Sequence, residues 1–265
     1  MIKQLKATLR RLRMPVTVLA AACLFSGTAF AAEPAPTDEF LASAAKNIQA
    51  QKYEEAIEDF NQSLANNPNN VNAVFARAQV WMQLKNPQNA MSDLNLAITM
   101  APTAPLLYSA RADLHLALNN GDAAIDDLNK IVELVPDNVH PILRRASVYH
   151  ALKKDTQAQA DFDLAAAKFP NEIDCYINRS RFYCDKQQSE LAMADANKAI
   201  KLAPNNPVGY NQRGVALFQL KQYEKAVADF NKALRLEPGY TMAANNLIAT
   251  YAEMKKAATP AKPAE

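Results

Sequence analysis

Arginine and aspartate recur at fixed places along this 265-residue chain, and together they could do ionic chemistry. Aspartate stands six times at intervals of 34 residues, and arginine stands sixteen residues before five of these aspartates. A planar guanidinium matches a carboxylate through two parallel hydrogen bonds, so this pair tolerates partial burial. The pattern predicts a ladder of structural ion pairs, and a catalytic or ligand-binding role is the alternative. The ladder consists of Arg77, Arg111, Arg145, Arg179 and Arg213 with Asp93, Asp127, Asp161, Asp195 and Asp229.

The spacing leaves two pairing registers open. If each arginine pairs with the aspartate that follows it by sixteen residues, Asp59 has no arginine, because Ser43 stands at the corresponding position. If the pairing runs to the next period, Asp229 has none, because Leu247 stands there. The sequence alone does not choose between the two registers.

No other group of residues has the spacing of a catalytic or metal site. His115, His140 and His150 do not lie three or four residues from another histidine or a cysteine, as a metal pair on one helix would. The five glycines form no phosphate-binding loop, and no serine lies in a G-x-S-x-G context. The acidic stretch from Glu54 to Asp59 is typical of a solvated helix face. We therefore expect a protein that is not an enzyme and has no cofactor or metal.

The first 31 residues have the composition of a targeting segment. Five lysines and arginines and no acid precede the apolar run VTVLAAACLFSGTAF, and Ala29 and Ala31 provide small residues two apart. This order predicts a cleaved secretory signal peptide, residues 1–31, and a periplasmic or secreted protein. Two alternatives remain open: an uncleaved membrane anchor, and a lipoprotein modified at Cys23 in the stretch LAAAC.

Removal of this segment changes the sign of the net charge. The full chain carries 29 Lys and Arg against 27 Asp and Glu, and the segment contains five of the bases and none of the acids. The remainder then has 24 bases against 27 acids, a net charge of −3. Since no basic stripe is interleaved with aromatic residues, we expect no nucleic-acid partner.

Two cysteines remain after such a cleavage, Cys175 and Cys184. Nine residues on one helix correspond to half a turn and about 13 Å along the axis. A disulfide requires Cα atoms within about 7 Å. We therefore expect no disulfide between these two cysteines and interpret both as small core residues.

Proline recurs with the same period as the aspartates, which points to repeated helices. Prolines stand at positions 68, 102, 136, 170, 204 and 238, and an alanine precedes each by twelve residues. In the last period Ala226, Phe230 and Ala233 are spaced i, i+4, i+7, the pattern of a buried helical stripe. Proline lacks an N–H and ends the helix. Internal repetition of this length predicts stacked helix pairs, because one pair cannot bury its own apolar face.

This pattern resembles the tetratricopeptide repeat (TPR) family over residues 37–240. The last repeat carries nearly all of the family's positions, and the first departs most, with Ser43 and Asn47 at core positions. The positions in the last repeat are Tyr210, Gly214, Leu217, Ala226, Phe230, Ala233 and Pro238. The resemblance implies an all-α fold, a TPR α-solenoid in which antiparallel helix pairs form a right-handed superhelix.

The 34-residue period sets the expected boundaries. Six repeats should span 37–70, 71–104, 105–138, 139–172, 173–206 and 207–240. A capping helix is expected over 241–256, with Leu247, Ile248 and Tyr251 at positions that would be core in a further repeat. Residues 32–36 should form a linker, and residues 257–265 should be a disordered tail.

In this family the first helix of each repeat lines a concave wall, and this implies a peptide-binding surface. Apolar residues with arginine and asparagine suit a peptide segment with an acidic group. The expected surface comprises Phe75, Gln79, Met82, Asp113, Leu116, Leu143, Arg144, Ile177, Asn178, Arg181, Asn211 and Gln212. For Phe75, Leu143 and Ile177 the alternative is packing between repeats. Some relatives clamp a C-terminal carboxylate, but only Asn178 matches one of their positions, so that activity is not carried over.

Together these features predict a non-enzymatic scaffold of the bacterial cell envelope that binds a protein or peptide. The alternative is a structural or assembly component held at the membrane through the N-terminal segment. Membrane contact is expected only in that second case.

Overall fold

The computed structural model describes residues 38–258. These residues form thirteen helices and no strand, and the fold is the all-α fold of tetratricopeptide repeats. The predicted signal peptide (1–31), the predicted linker (32–36) and most of the predicted tail lie outside the described residues.

The chain divides into two compact bodies, one ending at Asp137 and one beginning at Asn138. The N-terminal body contains six helices and the C-terminal body contains seven. The helices of the N-terminal body are α1 (Glu39–Gln49), α2 (Tyr53–Asn66), α3 (Val71–Gln83), α4 (Pro87–Met100), α5 (Pro105–Ala117) and α6 (Gly121–Leu134). Those of the C-terminal body are α7 (Val139–Ala151), α8 (Asp155–Lys168), α9 (Ile173–Asp185), α10 (Ser189–Leu202), α11 (Pro207–Gln219), α12 (Tyr223–Leu236) and α13 (Thr241–Ala258).

Odd-numbered and even-numbered helices pair along the chain, and small residues bring each pair together. The repeating alanines Ala90 in α4 and Ala226 in α12 are fully buried. In the pair of α11 and α12 the approach leaves no room for a methyl group, because a Cβ on Gly214 would lie 2.6 Å from Cε1 of Phe230. A larger side chain at such a position would overpack the contact.

The turn between the two helices of each pair places a residue other than glycine in the left-handed region. Lys85, for example, has a φ of 56°, and the next amide, that of Asn86, donates a 2.9 Å hydrogen bond to the carbonyl of Trp81. The same turn recurs at intervals of 34 residues, at Gln51, Lys85, Asn119, Lys153, Gln187 and Lys221. The bond back over five residues satisfies a carbonyl at the helix end. The turn therefore reverses the chain the same way in every pair.

The last helix differs from its prediction in length and in burial. It ends at Ala258, two residues beyond the predicted range, because alanine favours helix up to the residues near Pro260. Leu247 packs against the cluster of Leu217 and Phe230. Ile248 and Tyr251, however, are 67% and 52% exposed. Their assignment to a core was wrong, because no second helix follows α13 within residues 38–258 to cover them.

Among the thirteen described helices, none combines the length and the apolar character that a membrane-spanning helix needs.

Candidate peptide-binding surface

Each ladder arginine forms an ion pair with an aspartate in the helix that follows its own. In all five pairs the guanidinium donates from Nε and Nη2 to the two carboxylate oxygens, at distances of 2.6 to 3.2 Å. The five carboxylates are less than a tenth exposed. The pairing joins residues sixteen apart, which is the first of the two registers left open by the sequence. These hydrogen bonds also raise the pKa of Arg179, chiefly through Asp195.

The same arginines make a second contact that sequence reasoning missed. Nη1 of Arg77 donates to Oδ1 of Asn61, which lies sixteen residues before it, at 2.8 Å. Nη1 of Arg179 donates to Asp163 at 2.7 Å, and Arg111 and Arg213 contact asparagines in the same way. The signal was present as an asparagine or aspartate two residues after each repeating aspartate. Each of these four arginines therefore joins the helices on both sides of its own.

In the first helix pair no ladder arginine is present, and an asparagine pairs with the aspartate instead. Asn47 of α1 donates from Nδ2 to Oδ2 of Asp59 at 2.8 Å. The amide replaces the guanidinium at Asp59, so the aspartate that lacks an arginine in this register still has a hydrogen-bond donor.

In the N-terminal body, the predicted surface residues divide into buried and accessible ones. Phe75 is fully buried in a core cluster with Val74 and Leu107, and so a ligand cannot touch it directly. Leu116 is also buried, whereas Met82 is half-buried and Asp113 is exposed. Met82 and Asp113 are therefore the members that a ligand could touch directly here.

Gln79 is the exception in this body, because it is buried and polar. Its side chain is 4% exposed, and its Oε1 atom is buried without a hydrogen-bond partner. Oδ1 of Asn72, seven residues earlier in α3, is buried and unpartnered as well. A buried polar group without a partner costs about 1–3 kcal/mol. Sequence reasoning did not include Asn72.

In the C-terminal body, amide side chains join consecutive first helices. Nδ2 of Asn246 in α13 donates to Oδ1 of Asn211 in α11 at 2.9 Å. Nε2 of Gln219 donates to the carbonyl oxygen of Cys184 in α9 at 2.9 Å, and Ser189 donates to Oε1 of the same glutamine at 2.8 Å. Asn211 and Gln212, both predicted to bind a ligand, are buried. Asn211 is already engaged in holding α13 on α11.

Arg181 and Asn178 of α9 remain accessible. The Arg181 side chain is exposed and, within residues 38–258, makes no ion pair, in contrast to the five ladder arginines. Asn178 is half-buried and donates from Nδ2 to the carbonyl of Asp174 at 2.8 Å. Leu143 and Ile177 are buried, and Arg144 is half-buried. Arg181 is therefore a free cation beside half-buried amide and apolar groups.

A charged cluster closes the end of α7 near this arginine. Nδ1 of His150 lies 2.8 Å from Oδ1 of Asp155, and Nε2 lies 3.4 Å from Oδ2 of Asp185. Nζ of Lys186 donates to Oδ2 of Asp155 at 2.6 Å. The hydrogen bonds from Lys186 and His150 lower the pKa of Asp155. The cluster has two carboxylates for one lysine and one histidine, so it offers no excess positive charge to an anion, whereas Arg181 does.

The two described cysteines are free and buried, and they offer no reactive thiolate. Burial raises the pKa of Cys175 to about 11 and that of Cys184 to about 12. The described residues also contain no group of three or more His, Cys, Asp or Glu that could hold a metal ion.

Family models described as tetratricopeptide repeat match residues 48–105, 173–206 and 207–240. No curated protein matches the chain.

Solved structures resemble the chain at low sequence identity, and these likenesses show the fold alone. A tetratricopeptide repeat protein from Parabacteroides merdae ATCC 43184 is 20% identical with a TM-score of 0.53, over 94% of this chain and 90% of that one. MamA (41-end) from Desulfovibrio magneticus RS-1 is 18% identical with a TM-score of 0.51, over 64% and 96%. The APC/C hetero-tetramer Cut9–Hcn1 is 18% identical with a TM-score of 0.52, over 89% and 46%.

Proposed function

Because the chain belongs to the tetratricopeptide repeat family, we propose that it is a non-enzymatic scaffold that binds a peptide segment on its first helices. The observation that carries the proposal is Arg181. A guanidinium that is exposed, makes no ion pair within the described residues and lies three residues after half-buried Asn178 offers a charge-assisted contact. Such a surface suits an extended segment with an acidic side chain or terminus.

Other features support a binding role over catalysis. The half-buried ladder arginines are engaged in ion pairs with aspartate, and the matching family models indicate no catalytic family. Among the solved structures of similar fold, the Cut9–Hcn1 hetero-tetramer is itself a complex of two proteins. A partner held by its side chains and main chain needs no cofactor.

The proposal is tested with peptides selected on the intact protein. Peptides about twelve residues long would be selected from a random phage library, and the best would be synthesised and measured by fluorescence anisotropy. We expect enrichment of an acidic residue and a loss of affinity of roughly tenfold or more in Arg181→Ala, because a charge-assisted hydrogen bond is removed. Arg235→Ala is the matched control, since Arg235 is also exposed but lies in the last turn of α12. Equal binding by Arg181→Ala and wild type would refute the role of this surface.

The location of the scaffold is part of the proposal. The basic, apolar and small-residue order of residues 1–31 supports export and a place in the periplasm or beyond. Mass spectrometry of the N-terminus of protein recovered from cells tests this. A chain that starts at Ala32 supports the exported scaffold, a lipid on Cys23 supports a membrane-held assembly component, and an intact Met1 rejects cleavage.

A further inference from the structure

Helix α10 has a face with two cations and a leucine that residues 38–258 leave accessible. Leu191 is 49% exposed, and Lys201 is exposed as well. Lys198 is half-buried because its Nζ atom lies 5.7 Å from the centroid of the Tyr176 ring, an attractive contact that holds the ammonium in place. Leu191 and Lys198 are seven residues apart and the two lysines three apart, so all three side chains lie on one side of the helix. Within residues 38–258 neither lysine makes an ion pair.

The repeat itself does not require this combination. In α6 the residues that correspond to the two lysines are Lys130 and Glu133, which neutralise each other through a 3.0 Å ion pair. In α12 both positions are cationic, but Lys225 stands where α10 has Leu191. Cations in the last turns also favour the helix dipole, yet the dipole gives no reason for an exposed leucine. Among the even-numbered helices of the described chain, α10 alone joins two cations to an exposed leucine.

Helix α2 carries the opposite charge near its other end. Glu54, Glu55 and Glu58 are exposed, and none of them makes an ion pair within residues 38–258. Gln62 donates from Nε2 to Oε1 of Glu58 at 2.8 Å, which orients that carboxylate. No other even-numbered helix of the described chain has an acid at all three corresponding positions. The acidic face belongs to the N-terminal body and the basic face to the C-terminal body.

The charges of the two faces match when the helices run antiparallel. Both helices have 14 residues, so with their ends level the last turn of α10 lies beside the first turn of α2. Lys201 is then level with Glu54. Lys198 is within one residue, about 1.5 Å along the axis, of Glu58. Opposite charges therefore meet at two successive turns, and such complementarity fixes register and orientation.

The apolar ends of the two faces match in the same arrangement. Leu191 is then within one residue of Ala65, which is exposed near the end of α2. In a parallel arrangement, by contrast, Glu190 would be level with Glu54 and Leu191 with Glu55. Like charges at close range repel, and a leucine beside a carboxylate gains little. Only the antiparallel arrangement satisfies both ends.

We propose that α10 of one copy of this protein docks antiparallel on α2 of a second copy, through ion pairs of its two lysines with the glutamates of α2 and an apolar contact of Leu191. The occupant is a second copy because the complementary face is on this same chain. Two helices about 21 Å long bury less than the roughly 1,200 Å² of a stable interface. The association is therefore weak and reversible, with a Kd of roughly 10–100 µM. It involves the second helices of the pairs and does not depend on the peptide contact at Arg181.

Sedimentation velocity of protein purified from cells, from about 5 to about 300 µM, tests the association. We expect the average mass to rise with concentration at about 50 mM salt and to return toward the monomer at about 500 mM, because salt screens the ion pairs. Lys198→Glu with Lys201→Glu should stay monomeric throughout. The matched control, Lys232→Glu with Arg235→Glu, makes the same change at the corresponding positions of α12 and should associate at about 150 mM salt within roughly threefold of the wild type. A monomeric wild type, or equal effects of the two double variants, would overturn the proposal.

A charge exchange separates this contact from a loss of folding. Glu54→Lys with Glu58→Lys should also be monomeric by itself. Mixed with the Lys198→Glu and Lys201→Glu variant, it should associate within roughly tenfold of the wild-type affinity, since the same ion pairs form with their signs exchanged. A mixture that stays monomeric, with both variants helical by circular dichroism, would refute the contact.

A lipid surface is the other anionic partner that the basic face could meet. Vesicles of phosphatidylglycerol and phosphatidylcholine would be sedimented with the wild type and with the Lys198→Glu and Lys201→Glu variant. We expect equal, small fractions of both proteins in the pellet. Pelleting that requires the two lysines, by a protein that is monomeric alone, would assign the face to a membrane and overturn the proposal.

Discussion

At the scale of single residues, the ladder arginines matter because each neutralises a carboxylate that is nearly out of solvent. Arg179 donates to both oxygens of Asp195, which is 9% exposed, and also reaches Asp163 in α8. An ion pair at the surface adds little to stability, but removal of one partner from a buried pair leaves an uncompensated charge. The ladder therefore matters for stability chiefly because loss of an arginine would leave a buried aspartate charge unpaired.

Arg179→Ala should lower the free energy of unfolding by roughly 3 kcal/mol, because Asp195 would remain charged and buried. The double substitution with Asp195→Ala should recover part of this loss, since no charge is then left unpaired. Urea denaturation followed by circular dichroism measures both effects. Arg235→Ala, at an exposed position, is the control and should change stability by less than about 0.5 kcal/mol. An unchanged midpoint for Arg179→Ala would mean that the ladder contributes nothing.

The Asp155 carboxylate gives a prediction in pH. Hydrogen bonds from Lys186 and His150 hold its pKa below the ordinary value. Its contribution to stability is therefore present above the ordinary pKa of aspartate and is lost as the pH falls through the lower, folded value. Lys186→Gln should raise the pKa of Asp155 toward the ordinary value, as measured by carbonyl ¹³C NMR titration. Lys201→Gln, at an exposed lysine of α10, should not move it, and the same titration in both variants would contradict the role of Lys186.

At the scale of helices, small residues decide how closely the two members of a pair approach. Gly214 has no room for a methyl group, because its Cβ would lie within 3.0 Å of three atoms of the Phe230 ring. In two earlier pairs alanine faces leucine, as with Ala112 and Leu128, but in two others alanine faces phenylalanine, as with Ala146 and Phe162. The lack of room at Gly214 is therefore a property of where the Phe230 ring lies in this pair.

Gly214→Ala should destabilise the C-terminal body by about 1–3 kcal/mol, because the aromatic ring must shift to admit the new methyl group. Adding Phe230→Leu should restore part of the loss by recreating the combination found at Ala112 and Leu128. Gly239→Ala is the control, since nothing lies within 4 Å of a Cβ there. Thermal melting by circular dichroism measures all three. A double variant no more stable than Gly214→Ala would show that the contact is not a matter of volume.

The sequence was sufficient for much of the helical architecture, and the reason is physical. A 34-residue period with prolines and alanines in phase predicts helix pairs, since each repeat solves the same packing problem. The family and the all-α fold are confirmed by the family-model matches and the similar structures. The exposure of Ile248 and Tyr251 could not be read from the period, because their burial would require a further helix that the described chain does not supply.

The candidate surface was less predictable than the helices. Helical spacing shows which residues share a face, but it does not show how far a neighbouring helix covers that face. Phe75, Leu143 and Ile177 are buried for this reason, whereas Arg181 is exposed. The unpaired amide oxygens of Asn72 and Gln79 could not be found from sequence at all, because the sequence does not show whether a side-chain amide has a hydrogen-bond partner. Assignment of the surface residues to ligand binding stays a prediction.

At the scale of the whole molecule, the N-terminal segment determines the sign of the charge that partners meet. The full chain has a formal charge of +2, and residues 1–31 contribute five bases and no acid. All five bases lie before position 14, so cleavage after Ala31 and processing at Cys23 remove the same charges. Charge therefore distinguishes removal of the segment from its retention, whichever site is used.

We expect the protein recovered from cells to be an anion at neutral pH, with a formal charge of −3. Isoelectric focusing beside the full-length chain made without processing measures this directly, because the five bases shift the isoelectric point from basic to acidic. The control is a variant with the small residues of the cleavage site enlarged, Ala29→Leu with Ala31→Leu, which should retain the segment and focus with the full-length chain. A cellular protein that focuses at the basic position would mean that the segment is kept. If the segment is removed, the negative scaffold attracts an acidic peptide only through local cations such as Arg181, and raising the salt concentration should weaken that contact because salt screens the charges.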